Sequence, residues 1–356
     1  MKQLLLFVIL LVCFTGFGQH DSTETNHQTR KVKVLPVPAF GYSPETKSYI
    51  GAVCLFNLNF YQDSFTRSSN AKIEFNYSWN KQVILETDWN YFFKHENWFT
   101  QGLVHFSKYP DRYYGIGANT VDSSELLFQS NRIKLQGTLL KQIAPKLFIG
   151  VGLKYFDYSN LSFFNEVNTY TELSSQRTVG LKLIGLRDKR NTILTPTKGH
   201  FVEVSTSINK SNSVYSTLSL DLRKYYSFSK SFKPIIALRF YQSSLFGNAP
   251  FYDVSVFGGD KLARGYFYGR FRDQHSTILQ AEYRMKIAWR FGLAVFGGSG
   301  LVYSDFVKLT NANIKPNAGI GLRFLVDKKE NTFLRFDYAI GKQGQNGFYV
   351  SFGESF

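Results

Sequence analysis

Arg264, Gly265 and Tyr266 stand together in a segment of roughly 28 residues, Gly247 to Gln274, where the alternation seen elsewhere in the chain lapses. Arginine offers five donors in a rigid fork, glycine lets the backbone turn tightly, and tyrosine can pack against a wall. A desolvated guanidinium needs an acceptor. Glu282 shares strand phase with Arg284, and it is the first choice as partner of Arg264; the alternative is that Glu282 pairs with Arg284 or Lys286 along its own strand. His105 and Ser107, two apart on a strand, share a face, where an imidazole could activate a hydroxyl if a third group oriented it. The sequence offers no such group at a convincing position, and Val104 and Phe106 turn the pair inward, so no catalytic residue is expected. His95, His200 and His275 are scattered, and His20, Asp21, Glu24 and His27 fit no rigid element. Neither a metal nor a cofactor is expected.

The elements that must position these residues are strands. From Thr277 to Trp289, alternate residues Thr277, Leu279, Ala281, Tyr283, Met285, Ile287 and Trp289 are apolar or membrane-compatible, whereas Gln280, Glu282, Arg284 and Lys286 lie between them. The same split recurs at Leu334, Phe336, Tyr338 and Ile340 against Arg335 and Asp337, and at Leu218, Leu220 and Leu222 against Ser219, Asp221 and Arg223. Turn signals such as Trp79-Asn80-Lys81, Ala144-Pro145-Lys146 and Ser229-Lys230-Ser231 separate about sixteen candidate strands. Their expected spans are 31–41, 47–62, 68–80, 82–95, 97–108, 126–142, 144–159, 174–187, 199–210, 213–229, 232–246, 275–289, 291–304, 313–327, 331–341 and 347–356.

Lys2, the apolar run Leu4 to Phe14 and the small residues around Gly16 and Gly18 read as an export signal over residues 1–18. Residues 19–30 are polar and aperiodic, expected as a flexible periplasmic tail before a single barrel domain at 31–356. Loss of Cys13 with the signal leaves Cys54 alone, which excludes an internal disulfide. Beyond the signal no apolar run reaches the length of a spanning helix. Yet 17% of the chain is aromatic, almost all Phe and Tyr, while 44% is hydrophobic. Alternating membrane strands produce that balance, because every other residue faces lipid and aromatics girdle both interfaces. A secreted β-sandwich is the soluble competitor. The chain holds 42 Lys and Arg against 26 Asp and Glu, a net +16; removing Lys2 leaves 41 against 26, or +15. That excess favours anionic partners such as outer-membrane lipid and lipopolysaccharide. No nucleic-acid motif is present.

Four places carry a resemblance to one family, the Omp85 superfamily of outer-membrane barrels. Arg264-Gly265-Tyr266 resembles the Arg-Gly-aromatic tip of that family's long sixth loop, which folds into the lumen. Leu186-Arg187-Asp188-Lys189-Arg190 with Pro196 and Gly199 is similar to its strand-turn-strand signature. Gln280 to Arg284, followed by Phe296, Gly298 and Gly300, resembles the strand pair that receives the loop, with Gly298 where the family carries an acid. The ending Phe348 to Phe356, read as an alternating strand, resembles the C-terminal insertion signal, with Phe352 and Phe356 as its aromatics. The resemblance implies an all-β, 16-stranded antiparallel transmembrane β-barrel in the outer membrane, with a long lumen-inserted loop. It implies a role in outer-membrane protein assembly, translocation or lipid handling; the alternative is a passive pore with a basic, plugged lumen. Only residues 19–30 stand where the family carries POTRA domains, so the expectation is a short, barrel-only type served by a periplasmic POTRA-like or other assembly partner. A homo-oligomer stays open. Finally, Pro36 and Pro38 remove two donors from one edge of the first strand. If that edge faces the last strand, the resemblance implies a separable seam; if it faces the second strand, the prolines only shape the path of the chain.

Overall fold

The computed structural model describes residues 31–43, 47–61, 63, 65–79, 81–164, 170, 172–228, 234–307, 314–327 and 332–356. The expected signal, the tail and the acidic and histidine residues within it lie outside them. Sixteen long strands form one antiparallel sheet: β1 (Lys31–Ser43), β2 (Lys47–Asn59), β3 (Ser69–Ser78), β4 (Val83–Phe92), β5 (Trp98–Tyr113), β6 (Leu126–Ala144), β7 (Leu147–Phe163), β8 (Gln176–Asp188), β9 (Gly199–Lys210), β10 (Val214–Ser227) and β11 (Ile235–Gly247), continuing after two short strands. Those two, β12 (Ser255–Phe257) and β13 (Phe271–Asp273), pair inside the long loop. The sheet resumes with β14 (His275–Ala288), β15 (Phe291–Tyr303), β16 (Lys315–Asp327), β17 (Thr332–Gly341) and β18 (Asn346–Phe352). Each neighbour in the sheet is the next long strand in sequence, so the topology is up-and-down.

Side chains sort by parity, as the sequence alternation requires. On β8, Val179, Leu181 and Leu183 are exposed while Thr178 and Ile184 are buried; on β14, Leu279, Tyr283 and Met285 are exposed while Gln280, Glu282 and Arg284 are buried. Apolar outside and polar inside inverts a soluble protein, and fits a barrel whose outer face meets lipid. Trp79, Trp98, Tyr226, Phe228 and Trp289 stand exposed near the strand ends, where an aromatic girdle belongs. Packed side chains fill much of the interior. Near the rim where β1 begins, Phe92, Phe99, Leu140, Phe148, Leu186 and Phe201 form an apolar layer capped by Ile193 of the β8–β9 turn. Toward the opposite rim, Tyr113, Phe128 and Tyr158 pack on Phe251 of the long loop.

The final expected strand ends early. β18 stops at Phe352 instead of continuing to Phe356, because Gly353 reverses the chain at φ 75°. The last four residues then turn into the lumen.

Candidate functional site

The long loop leaves β11 at Gly247 and folds into the barrel, so that Phe257, Ala263, Tyr266 and Phe271 are buried against Ile278 and Val302 of the wall. Arg264 reaches furthest. Its Nη2 lies 2.5 Å from Glu282 Oε2 on β14, and its Nη1 donates to Asp337 on β17. The guanidinium also stacks 3.4 Å from the ring centroid of Phe296 on β15. Arg264, Glu282 and Asp337 are all essentially without exposure. Glu282 is the acid expected for this arginine, with Gly298 where the family carries another; the second carboxylate comes from Asp337, three strands on from β14.

Neither acid serves Arg264 alone. Glu282 Oε1 also accepts from Arg284 at 3.0 Å and Arg323 at 2.8 Å, so the two alternatives left open for Glu282 coexist. Asp337 is shared with Arg323 at 2.5 Å and Arg335 at 2.8 Å, and Arg335 continues to Asp260 of the loop at 2.7 Å. Glu354 joins through Arg323 at 2.9 Å. Four arginines thus interleave with four carboxylates, and each arginine meets at least two of them. Removing one leaves its partners in an unbalanced buried charge set.

The neighbours of Arg264 explain the small residues around it. Gly265 sits at φ 100°, and a Cβ there would meet the Ile340 backbone at 2.7 Å, so its place is closed to any side chain. Its amide donates to Tyr349 Oη at 3.1 Å, while Tyr266 Oη donates to the Pro316 carbonyl at 2.8 Å. On the receiving wall, Gly300 lies under the Phe257 ring, whose edge a Cβ would meet at 2.4 Å. Gly298 stands beside Asn317, and Asn317 Nδ2 donates to the Arg264 carbonyl at 2.7 Å. Phe296, Gly298 and Gly300 therefore form a seat for the loop.

The chain's last residues close on the same assembly. Ser355 Oγ donates to the Asp260 carbonyl at 2.9 Å, and Glu354 N donates to the Leu194 carbonyl of the β8–β9 turn at 2.8 Å. Phe356 is buried on Tyr225 and Ala237, and its main-chain oxygen accepts from Arg284 at 3.0 Å. Phe352 and Phe356, expected together on one strand, thus separate: the first ends β18 and the second is a lumen residue.

β1 and β18 lie side by side, but among the described residues no ladder joins them. The ladder from β1 to β2 runs through Pro36 and Pro38 with no register shift. Proline cannot donate, so an unbroken antiparallel ladder puts both ring nitrogens on the other edge, facing β18. A cavity of about 590 Å³ opens beside this edge. Lumen-side residues Leu35, Val37, Val53 and Leu55 line it together with Val350 and Phe352, which share the outward parity of exposed Phe348. The space therefore continues past β18 toward the outer face. Seven Lys and Arg against four Asp and Glu complete its lining.

At the rim where β1 begins, a second charge cluster holds the turns. Asp188 accepts from Arg190 at 2.9 Å and from Arg67 at 2.8 Å, and Arg67 and Lys146 both reach the buried Glu96 at 3.0 and 2.8 Å. Burial pushes the Glu96 carboxyl up, but the bonds from Arg67 and the charges of Arg67 and Lys146 outweigh it and hold the group below the ordinary 4.5.

His105 and Ser107 are joined at 3.0 Å, and a third group absent from the sequence reading completes them: Glu86 Oε2 on β4, 2.9 Å from His105 Nδ1. Glu86 lies 19 residues away in sequence and is brought opposite His105 by the β4–β5 register. His95, His200 and His275 stay apart, and no group of metal-binding residues forms among the described residues.

Among solved structures, BamA from Haemophilus ducreyi lacking POTRA domains 1-3 is similar at 14% identity and TM-score 0.57, covering 91% of this chain and 70% of that one. CdiB from Acinetobacter baumannii is similar at 14% identity and TM-score 0.57, covering 90% of this chain and 59% of that one. No protein of curated function matches the sequence. The description "Omp85 superfamily domain" matches residues 53–356, and with the loop-bearing barrel it places the chain in the Omp85 superfamily.

Proposed function

We propose that this barrel resides in the outer membrane and passes a polypeptide segment or lipid laterally through the seam between β1 and β18, acting in outer-membrane protein assembly or translocation. The observation that carries this reading is the unpaired edge. Two proline nitrogens face it where a closed barrel would place two donors, and a partly apolar cavity leads from the lumen to it. A chain edge entering there would find acceptors on β1 and apolar side chains within reach. The loop lock holds the lumen filled while the edge is used. The cationic lining suits anionic headgroups, including lipopolysaccharide, and the rim cluster around Glu96 and Asp188 offers a docking level for a periplasmic assembly partner.

The test is a disulfide across the seam. Cysteines replace Pro36 and Val350 in a Cys54→Ala background, and insertion of a urea-unfolded barrel client into vesicles carrying the protein is followed. Faster insertion by the reduced form, loss on oxidation and recovery with reductant are expected. Unchanged insertion in the oxidised form sinks the seam; steady ion conductance with no insertion at all would leave a passive basic pore.

A further inference from the structure

The lumen wall holds a second constellation that the seam and the loop lock do not use. We propose that Ser107, His105 and Glu86 form a nucleophile–base–acid triad that hydrolyses a carboxylic ester carrying an anionic group. The order of atoms is the one such a triad needs. Glu86 Oε2 lies 2.9 Å from Nδ1 and Ser107 Oγ 3.0 Å from Nε2. With the proton on Nδ1 donated to the carboxylate, Nε2 is left as acceptor for the hydroxyl. Lys72 Nζ stands 3.2 Å from Glu86 Oε1 and pairs with that side chain from the neighbouring strand. Two adjacent rungs of the sheet fix the geometry. Glu86 is opposite His105, and on the next strand Lys134 is opposite His105 and Arg132 opposite Ser107. Both cations belong to the inward parity of β6; Arg132 is held by Asp111 at 2.8 Å, which leaves Lys134 as the cation on the wall beside the trio. Ile84, opposite Ser107 on β4, gives an apolar flank. His105 and Glu86 retain 14% and 28% side-chain exposure while Ser107 is buried, so the base and the acid face the lumen with the hydroxyl set behind them.

The reaction balances with water as the only co-reactant. Ser107 Oγ bonds to the ester carbonyl carbon as its proton moves to His105 Nε2, and Glu86 steadies the imidazolium. The carbon–oxygen bond to the alcohol breaks, and the alcohol leaves with that proton. Water, giving a proton to the same nitrogen, then cleaves the acyl-serine; the carboxylic acid departs and the proton returns to Ser107.

The test uses the full-length barrel in detergent with a fluorophosphonate probe and two 4-nitrophenyl esters, one neutral and one bearing a sulfonate. A phosphonyl adduct on Ser107 is expected by mass spectrometry. Its formation should fall about 100-fold or more in His105→Ala. Glu86→Gln should slow it and Glu86→Asp should partly restore it, since the imidazole needs a carboxylate at Nδ1. Lys134→Gln should raise KM for the sulfonated ester only. Heat-modifiable gel mobility of Ser107→Ala reports that the variant barrel is folded. An unlabelled folded wild type, equal labelling in His105→Ala, or equal turnover in Ser107→Ala would show that the trio is only a hydrogen-bonded rung of the wall. Equal turnover of both esters would overturn the anionic substrate class.

Discussion

At the scale of single residues, the loop lock works because Arg264 is shared. Its two carboxylates come from β14 and β17, and both also serve other arginines. Breaking one buried ion pair typically costs about 3–5 kcal/mol, less where water reaches the gap. Arg264→Ala should therefore loosen the loop more than Glu282→Gln or Asp337→Asn alone, because it removes both bonds at once. The measurement is limited proteolysis at Gly258 and Gly259, with double-mutant cycles. Arg264→Ala combined with Glu282→Gln should be little worse than Arg264→Ala alone; additive losses would show that the residues act separately. Glu282 was legible because it shares a strand with the motif residues around it. Asp337 was not, since it lies 73 residues from Arg264 and only barrel curvature brings them together. Glu86 was not legible because only the β4–β5 register sets it opposite His105.

A pH dependence belongs at this scale too. The Glu96 carboxyl is held below 4.5, so its contribution to the rim is complete above that value and is lost as pH falls through the lower folded value. Hydrogen exchange at the Asn97 amide, which bonds the Lys94 carbonyl, should accelerate on acidification below pH 4.5. In Glu96→Gln that acceleration should disappear. Its persistence would place the titrating group elsewhere.

At the scale of elements, the two strands that border the seam differ in kind from their neighbours. β1 carries the two prolines, and β18 is only 7 residues long beside a β1 of 13. Replacing both prolines by valine restores two donors on the edge facing β18. The variant should protect the β1 and β18 amides more strongly in hydrogen exchange and insert client more slowly; unchanged protection would mean that the edge is held open by something other than missing donors. The tail after β18 makes a second case. A Cβ at Gly353 would meet the Leu194 carbonyl at 2.8 Å and would need the φ of 75° that side chains avoid. Gly353→Ala should release Glu354 from Leu194, read as faster exchange at the Glu354 amide. The sixteen long strands were legible because lipid on one face and a polar lumen on the other impose period two. The early end of β18 was not, because Phe348 to Phe356 alternates well enough for a strand. What turns it inward is tertiary: Leu194, Asp260, Arg284 and Arg323 all hold the tail from distant parts of the chain.

At the scale of the whole molecule, the barrel is stapled from inside. Loop residues Asp260 and Arg264, tail residues Glu354 and Ser355, and wall residues on β14, β16 and β17 form one connected set of charges and hydrogen bonds. Its ion pairs lie on β14, β16 and β17, next to β18, so the β18 lip of the seam is tied to the plug. Opening should then move β1 and β2 away from a fixed β18. The most direct measurement is the distance distribution between spin labels on β1 and β18, with the barrel in a lipid bilayer and a control pair on β9 and β10. The account predicts one narrow distance for the control and a broad or two-peaked distribution across the seam, sharpened when both prolines are valine. A single narrow distance at the seam, matching the control and unaffected by the proline replacements, would contradict it.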